Sequence, residues 1–352
     1  MRKRRLPLLL LFAAGHAVNA DPLAGAAMTI YEADGPRSIA LDAPTMTVFA
    51  DTDTRQVEIG SDWGHAADNG FVKLSTGYRH DRTSFDIAAD ASGRATPNIL
   101  SELTWELPSA EIRVDGVWSH DSGFTVKGHL AYAQSFSGGE VQDSDYLRND
   151  RQAEFSRSYS DPRGSTSHDF SLGIGWKIPL SERESLTPML GMARYRGDYR
   201  MRDGRQVISA YGFGMPLGSF DGLDSSYSPR WRSGWIGVDG AFRAGDQVTI
   251  NTALKQHWFS YEAEANWNLR DSFAHPVSFR HSGNGSGWEA EISSAWTIQP
   301  RHRLSFDVSA RDLRLKDGRD ITYLADGSSV ETQLNLVLSE TWSVRFGYRF
   351  DY

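Results

Sequence analysis

From Trp342 to Tyr352 the chain alternates without a break. Trp342, Val344, Phe346, Tyr348, Phe350 and Tyr352 fall on one face, and Ser343, Arg345, Arg349 and Asp351 on the other. Successive side chains of an extended strand point to opposite faces, so this segment predicts a strand with one apolar and one ionic side. The period recurs along the chain. Ile112, Val114, Gly116 and Trp118 alternate with Glu111, Arg113 and Asp115; Phe124, Val126, Leu130 and Tyr132 with Thr125, Lys127 and His129; Phe170, Leu172, Ile174 and Trp176 with Asp169, Ser171 and Gly173; Leu304, Phe306 and Val308 with Arg303, Ser305 and Asp307. A soluble sandwich also alternates. Here, however, the polar side carries full charges in mid-strand and the apolar side places aromatics at strand ends. A closed cylinder with an apolar outside, aromatic girdles and a wet interior satisfies both. The expected fold is all-β, a transmembrane antiparallel up-and-down β-barrel.

Connections alternate in length. Short ones lie near 119–123, 179–185, 244–246 and 299–302, and long ones near 88–97, 136–166, 203–229, 262–284 and 316–329. Short periplasmic turns and long extracellular loops are the expected asymmetry of an outer-membrane barrel. The count is about ten strands over 70–352, with both ends of the barrel periplasmic. Residues 21–69 read as a lead-in segment in which Thr45 to Ala50 and Val57 to Gly60 form an extra hairpin, so that twelve strands is the alternative. Ahead of this, Arg2, Lys3, Arg4 and Arg5 precede a short apolar run from Leu6 to Ala14, and Val18 and Ala20 stand at −3 and −1 of a cut before Asp21. This is the layout of a secretory signal peptide over 1–20. Its loss leaves the remainder four charges more negative than the full chain's −8.

Composition removes other classes. Mean hydropathy is −0.46, which disfavours a helical membrane protein, and an acidic chain gives nucleic acid no electrostatic footprint. No cysteine means no disulfide framework and no thiolate site. Eleven Trp, 13 Tyr, 17 Phe and 33 Gly in 352 residues suit strands that are half lipid-facing. No Walker loop, HExxH or GxSxG motif occurs, the histidines lack zinc spacing, and neither cofactor nor metal is expected.

Charged residues within strands are accounted for as a solvated lumen, so a site is sought at the outer rim. Gly138-Gly139-Glu140-Val141-Gln142-Asp143-Ser144-Asp145-Tyr146 offers two carboxylates two residues apart, which point the same way on a strand. Close carboxylates raise one another's pKa and hold or deprotonate a water. The plain alternative is a hydrophilic loop flanked by Arg148, Asp150, Arg151 and Glu154. Calcium could use the same oxygens, without EF-hand spacing.

The chain resembles the omptins, ten-stranded outer-membrane endoproteases of Gram-negative bacteria. Ser135 to Gly139 followed by Asp143-Ser144-Asp145-Tyr146 is similar to their third strand. Leu100 to Trp105, Pro188 to Gly204, Gly234 to Gly240 and Gly287 to Asp312 are similar to the second, fifth, sixth and eighth–ninth strands. The likeness runs in order over 70–352. It implies a catalytic role for Asp143 and Asp145 on one side of a cleft, and for Asp81, which precedes Arg82, a part in binding substrate. It also implies an Asp-x-His dyad above the seventh strand. The matching positions read Ala265-Asn266-Trp267, Ala263 stands where an acidic residue is expected, and His257 lies about ten residues too early. His275 or His281, later in the same connection, would have to supply the imidazole.

Three functions follow: an omptin-like cell-surface aspartic-type endopeptidase relative with an incomplete site, a catalytically inactive barrel acting in adhesion or binding, and a small outer-membrane channel. The expected partners are outer-membrane lipid, including lipopolysaccharide, and a peptide or protein substrate or ligand at the extracellular rim. No nucleic acid is expected, and the barrel is expected as a monomer in the bacterial cell outer membrane.

Overall fold

The structure, a computed structural model, describes residues 69–212 and 216–352, and the backbone of four short segments at 27–32, 35–40, 45–48 and 55–58. The signal peptide expected over 1–20 lies outside the described residues. The chain divides into two units, residues 1–65 and 66–352. In the first, β1 (Ala27–Glu32) pairs with β2 (Gly35–Ala40), and β3 (Thr45–Val48) with β4 (Arg55–Glu58), each pair antiparallel. The second hairpin is the one read from Thr45 to Gly60. It forms a two-stranded sheet of its own, so the twelve-strand alternative gives way to a ring of 10.

The ring uses β5 (Gly70–Ile87), β6 (Ser101–Ser119), β7 (Phe124–Ser135), β8 (Glu140–Arg148), β9 (Gln152–Asp161) and β10 (Thr166–Trp176). After the two-residue β11 (Ile178–Pro179) come β12 (Glu184–Ser209), β13 (Gly218–Arg243), β14 (Val248–Asn266), β15 (Phe279–Gln299), β16 (His302–Tyr323) and β17 (Ser329–Asp351). Every pairing is antiparallel, and β17 closes on β5. On the lower level β7 and β10 lie between β6 and β12. On the upper level both stop, and β8 and β9 take their places between the same neighbours. The strand number is therefore constant although two strands are interrupted. The changeover needs the Gly138-Gly139 pair. Gly138 has φ +103°, and a Cβ on Gly139 would stand 2.4 Å from the Glu106 carbonyl oxygen and 2.8 Å from Pro162.

Most of the connections expected as long loops are partly regular. Most of 136–166 is the β8–β9 hairpin, most of 203–229 and 316–329 and about half of 262–284 continue the flanking strands, and 88–97 holds no strand. Strands of up to 26 residues are more than twice the roughly 9–11 that cross a bilayer. Above the membrane the outward face meets water and the inward face a mixed, largely apolar interior, so the apolar-out and ionic-in alternation of the lower barrel fades.

The outward face carries the bilayer band. Leu74, Ile112, Leu130, Leu172, Leu190, Ile236, Leu254, Ile292 and Phe346 are exposed along it. Trp118, Trp176, Trp296 and Tyr348 mark its lower edge, and Tyr78, Phe136, Trp258 and Trp342 its upper edge. Tyr78 packs on Trp342 and Phe136 at ring centroid separations of 5.2 and 6.1 Å. These are the two aromatic girdles of an outer-membrane barrel.

The interior has two layers. At bilayer depth it is ionic: Lys73 meets Asp307 at 2.7 Å, Arg113 meets Asp115 at 2.7 Å and Glu291 at 3.0 Å, Arg311 meets Asp169 at 3.0 Å, Lys255 meets Glu289 at 2.7 Å, and Arg345 meets Glu111 at 3.1 Å. Above this lies an apolar layer of Phe85, Leu103, Trp105, Tyr199, Tyr227, Trp231, Tyr261, Phe279 and Leu315, all buried. Inward positions of the same strands thus change from charged to aromatic on leaving the membrane.

Candidate functional site

The site read from the sequence is built on β8. Asp143 stands between Leu103 of β6 and Ser158 of β9, and Asp145 between Ser101 and Ser156. Leu103 is buried in the apolar layer, as is Val141, two residues before Asp143. The inward face of β8 therefore runs Val141, Asp143, Asp145, and the two carboxylates sit where the apolar layer ends. Both aspartates are partly buried. One oxygen of Asp143, Oδ1, is enclosed and has no hydrogen-bond partner among the described residues. Burial, and then the neighbouring charge of Asp145, push the Asp143 carboxyl well above the usual carboxylate range, with Arg270 opposing. Burial also raises Asp145, against hydrogen bonds from Ser101 and Ser156 and the charge of Arg270.

Arg270 is carried by the connection between β14 and β15, which is fastened on both sides. Asn268 Oδ1 accepts from the Asp224 amide and the Ser225 hydroxyl at 2.9 Å each, and Phe273 bridges to Leu324. Trp267 packs on Phe279 at 4.6 Å. The Ala265-Asn266-Trp267 stretch, where the resemblance implies a dyad, is thus spent on closing β14 and anchoring this connection.

His281 does not lie in a loop. It is on β15, 1% exposed, and paired with Ala263 and Asp320 in register. Its Nδ1 lies 2.9 Å from the Tyr227 hydroxyl, and its Nε2 lies 3.3 Å from Asp320 Oδ1, an ion-pair distance rather than an aligned hydrogen bond. Thr332 donates to the other Asp320 oxygen at 2.9 Å. Tyr227 in turn shares a short hydrogen bond with Tyr261, and burial holds the Tyr227 phenol well above its ordinary pKa. The small side chains of Ala263 and Ala265 on the intervening β14 leave the room in which Tyr227 and His281 meet. Phe85 stands edge-on to His281 at 4.5 Å, and Trp105 stacks on Tyr227 at 5.0 Å. Asp320 and Tyr227 fell in segments read as loops, where no alternation singled them out.

The remaining predicted residues are placed elsewhere. His275 is exposed, its Nδ1 2.7 Å from Asn266 Oδ1. His257 is buried lower in the lumen, 2.9 Å from Ser233 Oγ. Asp81 is 2% exposed. Arg79 donates to both of its oxygens at 2.8 and 2.9 Å, and Thr341 donates at 2.7 Å. Among the described residues no hydrogen bond or ion pair joins Asp143 or Asp145 to an imidazole, and no group of three or more His, Asp or Glu side chains is arranged for a metal.

Comparison with known proteins agrees with this architecture. No curated protein matches the chain by sequence. Among solved structures, the outer membrane protease OmpT from Escherichia coli is similar with a TM-score of 0.68 at 15% identity, covering 82% of this chain and 98% of that one. The outer membrane protein OprG from Pseudomonas aeruginosa covers 80% and 97% at 9% identity, with a TM-score of only 0.34. The model of the Protochlamydia outer membrane protein family matches residues 73–350. With its girdled ten-stranded cylinder, the chain belongs to the Protochlamydia outer membrane protein family and resides in the outer membrane.

Proposed function

We propose that the chain is a non-hydrolytic surface barrel of omptin-like fold that binds a cationic peptide or protein segment at its outer rim. One observation carries this reading. Of the two histidines able to supply an imidazole, His275 is exposed and engages Asn266 at 2.7 Å rather than either aspartate, and His281 is 1% exposed and enclosed by Phe85, Tyr227 and Phe279. A general base must reach its proton directly or through one water, and packed rings leave His281 no such route to a substrate beside Asp143. Asp143 and Asp145 both stay partly exposed where the apolar layer ends, and an arriving ammonium or guanidinium group would favour their ionised forms.

The second reading, an aspartic-type endopeptidase, is favoured by the Asp143-x-Asp145 pair itself. One experiment separates the two. Refolded barrel in lipid is given a dibasic fluorogenic peptide, and binding of an uncleavable labelled analogue is measured in parallel. Binding weakened at least tenfold in an Asp143→Asn/Asp145→Asn variant, without cleavage, supports the binding reading. Cleavage abolished by Asp143→Ala establishes the peptidase, and absence of both refutes both.

The lipid partner also has a physical basis. Arg194 lies opposite Arg232, and Arg196 opposite Arg230, on the outer face immediately above Met192 and Ile236. Asp198, Glu264 and Glu262 offset Arg196, Arg230 and Arg232 at 3.1, 3.8 and 3.7 Å, but like charges directly opposed across strands gain from further anions, and headgroup phosphates, those of lipopolysaccharide included, lie at that height.

A further inference from the structure

The lower end of the barrel contains a cavity of about 330 Å³, within the range of small-molecule sites. It arises because two successive rungs of the sheet carry small inward side chains. One rung runs Ala241, Asn251, Ser293, and the next Thr249, Ala295, Ser305, ending on Gly347. Higher on the same strands the inward positions are Trp235, His257 and Phe259, so the hollow belongs to this level alone. Its floor is the ionic layer. Lys73 lies between Asp307 and Asp115 at 2.7 and 3.5 Å, and Arg113 ties Asp115 to Glu291. The hollow is therefore a cup entered from the side of the short turns, the periplasm.

The chemistry of the wall narrows what the cup would hold. The charges deep inside it are already matched: Lys127 meets Asp239 at 2.6 Å, and Lys73 is matched as above; Lys177, Glu182, Arg183, Glu184 and Arg243 stand exposed at its mouth. A charged ligand would have to break such a pair in a low-dielectric setting, which is costly. Uncommitted hydrogen-bonding capacity lies instead in neutral groups. Thr187 and Ser293 are buried, and neither they nor Asn251 makes a side-chain hydrogen bond among the described residues. Hydroxyls and a carboxamide set between neutralised ion pairs suit a ligand that is itself neutral and rich in hydroxyls.

We propose that this cup is a binding site, open to the periplasm, for a neutral saccharide of one or two rings. The proposal is independent of the rim site, at the opposite end of the cylinder. Its test is calorimetric titration of the folded full-length barrel with chitobiose and maltose, and with glucose 1-phosphate as charged control. An amine-oxide detergent is required, because a maltoside headgroup would compete. Saturable binding of a neutral disaccharide, at least tenfold stronger than the sugar phosphate, is expected. Ala295→Phe, which fills the cup, should abolish it, and Asn251→Ala/Ser293→Ala, which leaves the cup open but removes its hydrogen-bonding groups, should weaken it at least fivefold. Folding of each variant is checked by heat-modifiable gel mobility, and the polar-to-alanine pair serves if the filled variant does not fold. No saturable binding of either neutral sugar, or equal binding in the folded variants, would overturn the proposal.

Discussion

Arg345 is fully buried at bilayer depth, and its guanidinium is shared by two carboxylates, Glu111 at 3.1 Å and Glu291 at 3.4 Å. Replacing it by leucine keeps apolar bulk and removes one positive charge from a closed network. Each glutamate retains one other cation: Arg79 lies 3.5 Å from Glu111, and Arg113 lies 3.0 Å from Glu291. The loss should therefore fall at the lower end of what breaking a buried ion pair costs, about 3 kcal/mol of a 3–5 kcal/mol range. At 1.4 kcal/mol per decade this is roughly a hundredfold change in the folding equilibrium. The assay is reversible guanidinium unfolding in lipid vesicles, read by tryptophan emission and gel mobility. Glu291→Gln in the Arg345→Leu background should restore part of the loss, because it removes a charge that has lost a partner. A single variant within about 0.5 kcal/mol of the parent would refute the claim that the lumen is held by mutual neutralisation, since that is the range of ordinary surface substitutions.

Three further outcomes are expected. Asp143 has a raised pKa in the folded barrel, so the folded state holds its proton more tightly than the unfolded chain does. Stability should then fall as pH rises from the unfolded carboxyl value near 4 toward the folded one, and stay lowered above it; Asp143→Asn should stabilise at pH 7 and lose that advantage near pH 4, as unfolding midpoints at the two pH values would reveal. Gly139→Val should disrupt the changeover between β7 and β8, because its Cβ would collide with the Glu106 carbonyl and Pro162; increased protease nicking in 136–166 with an intact lower barrel is the expected readout. Planar bilayers containing the parent protein should show little steady conductance, since the ionic layer spans the lumen; large ohmic steps would contradict that packing.

The transmembrane half of the fold was legible in the sequence because its two faces meet opposite solvents. Lipid demands Leu130 and Phe346, while the lumen demands Asp115 and Arg345, and the period of two follows directly. The upper half was not, because β8, β9 and the top of β12 face water outside and a mixed interior inside. The carboxylates Asp143 and Asp145 could be found by their spacing. The Tyr227–His281–Asp320 contact could not, since it joins three strands across the small side chain of Ala263 and leaves no local pattern. Asp81 shows the converse. Beside Arg82 it resembles a rim acid, but its place two residues from Arg79 on the inward face commits it to a buried ion pair.

The changeover at Gly138-Gly139 has an architectural consequence. Because β7 and β10 already seal the cylinder within the bilayer, the β8–β9 hairpin that bears the aspartate pair is a removable storey. Exchanging 136–165 for another hairpin that covers the apolar layer would change the extracellular rim without touching any strand that crosses the membrane.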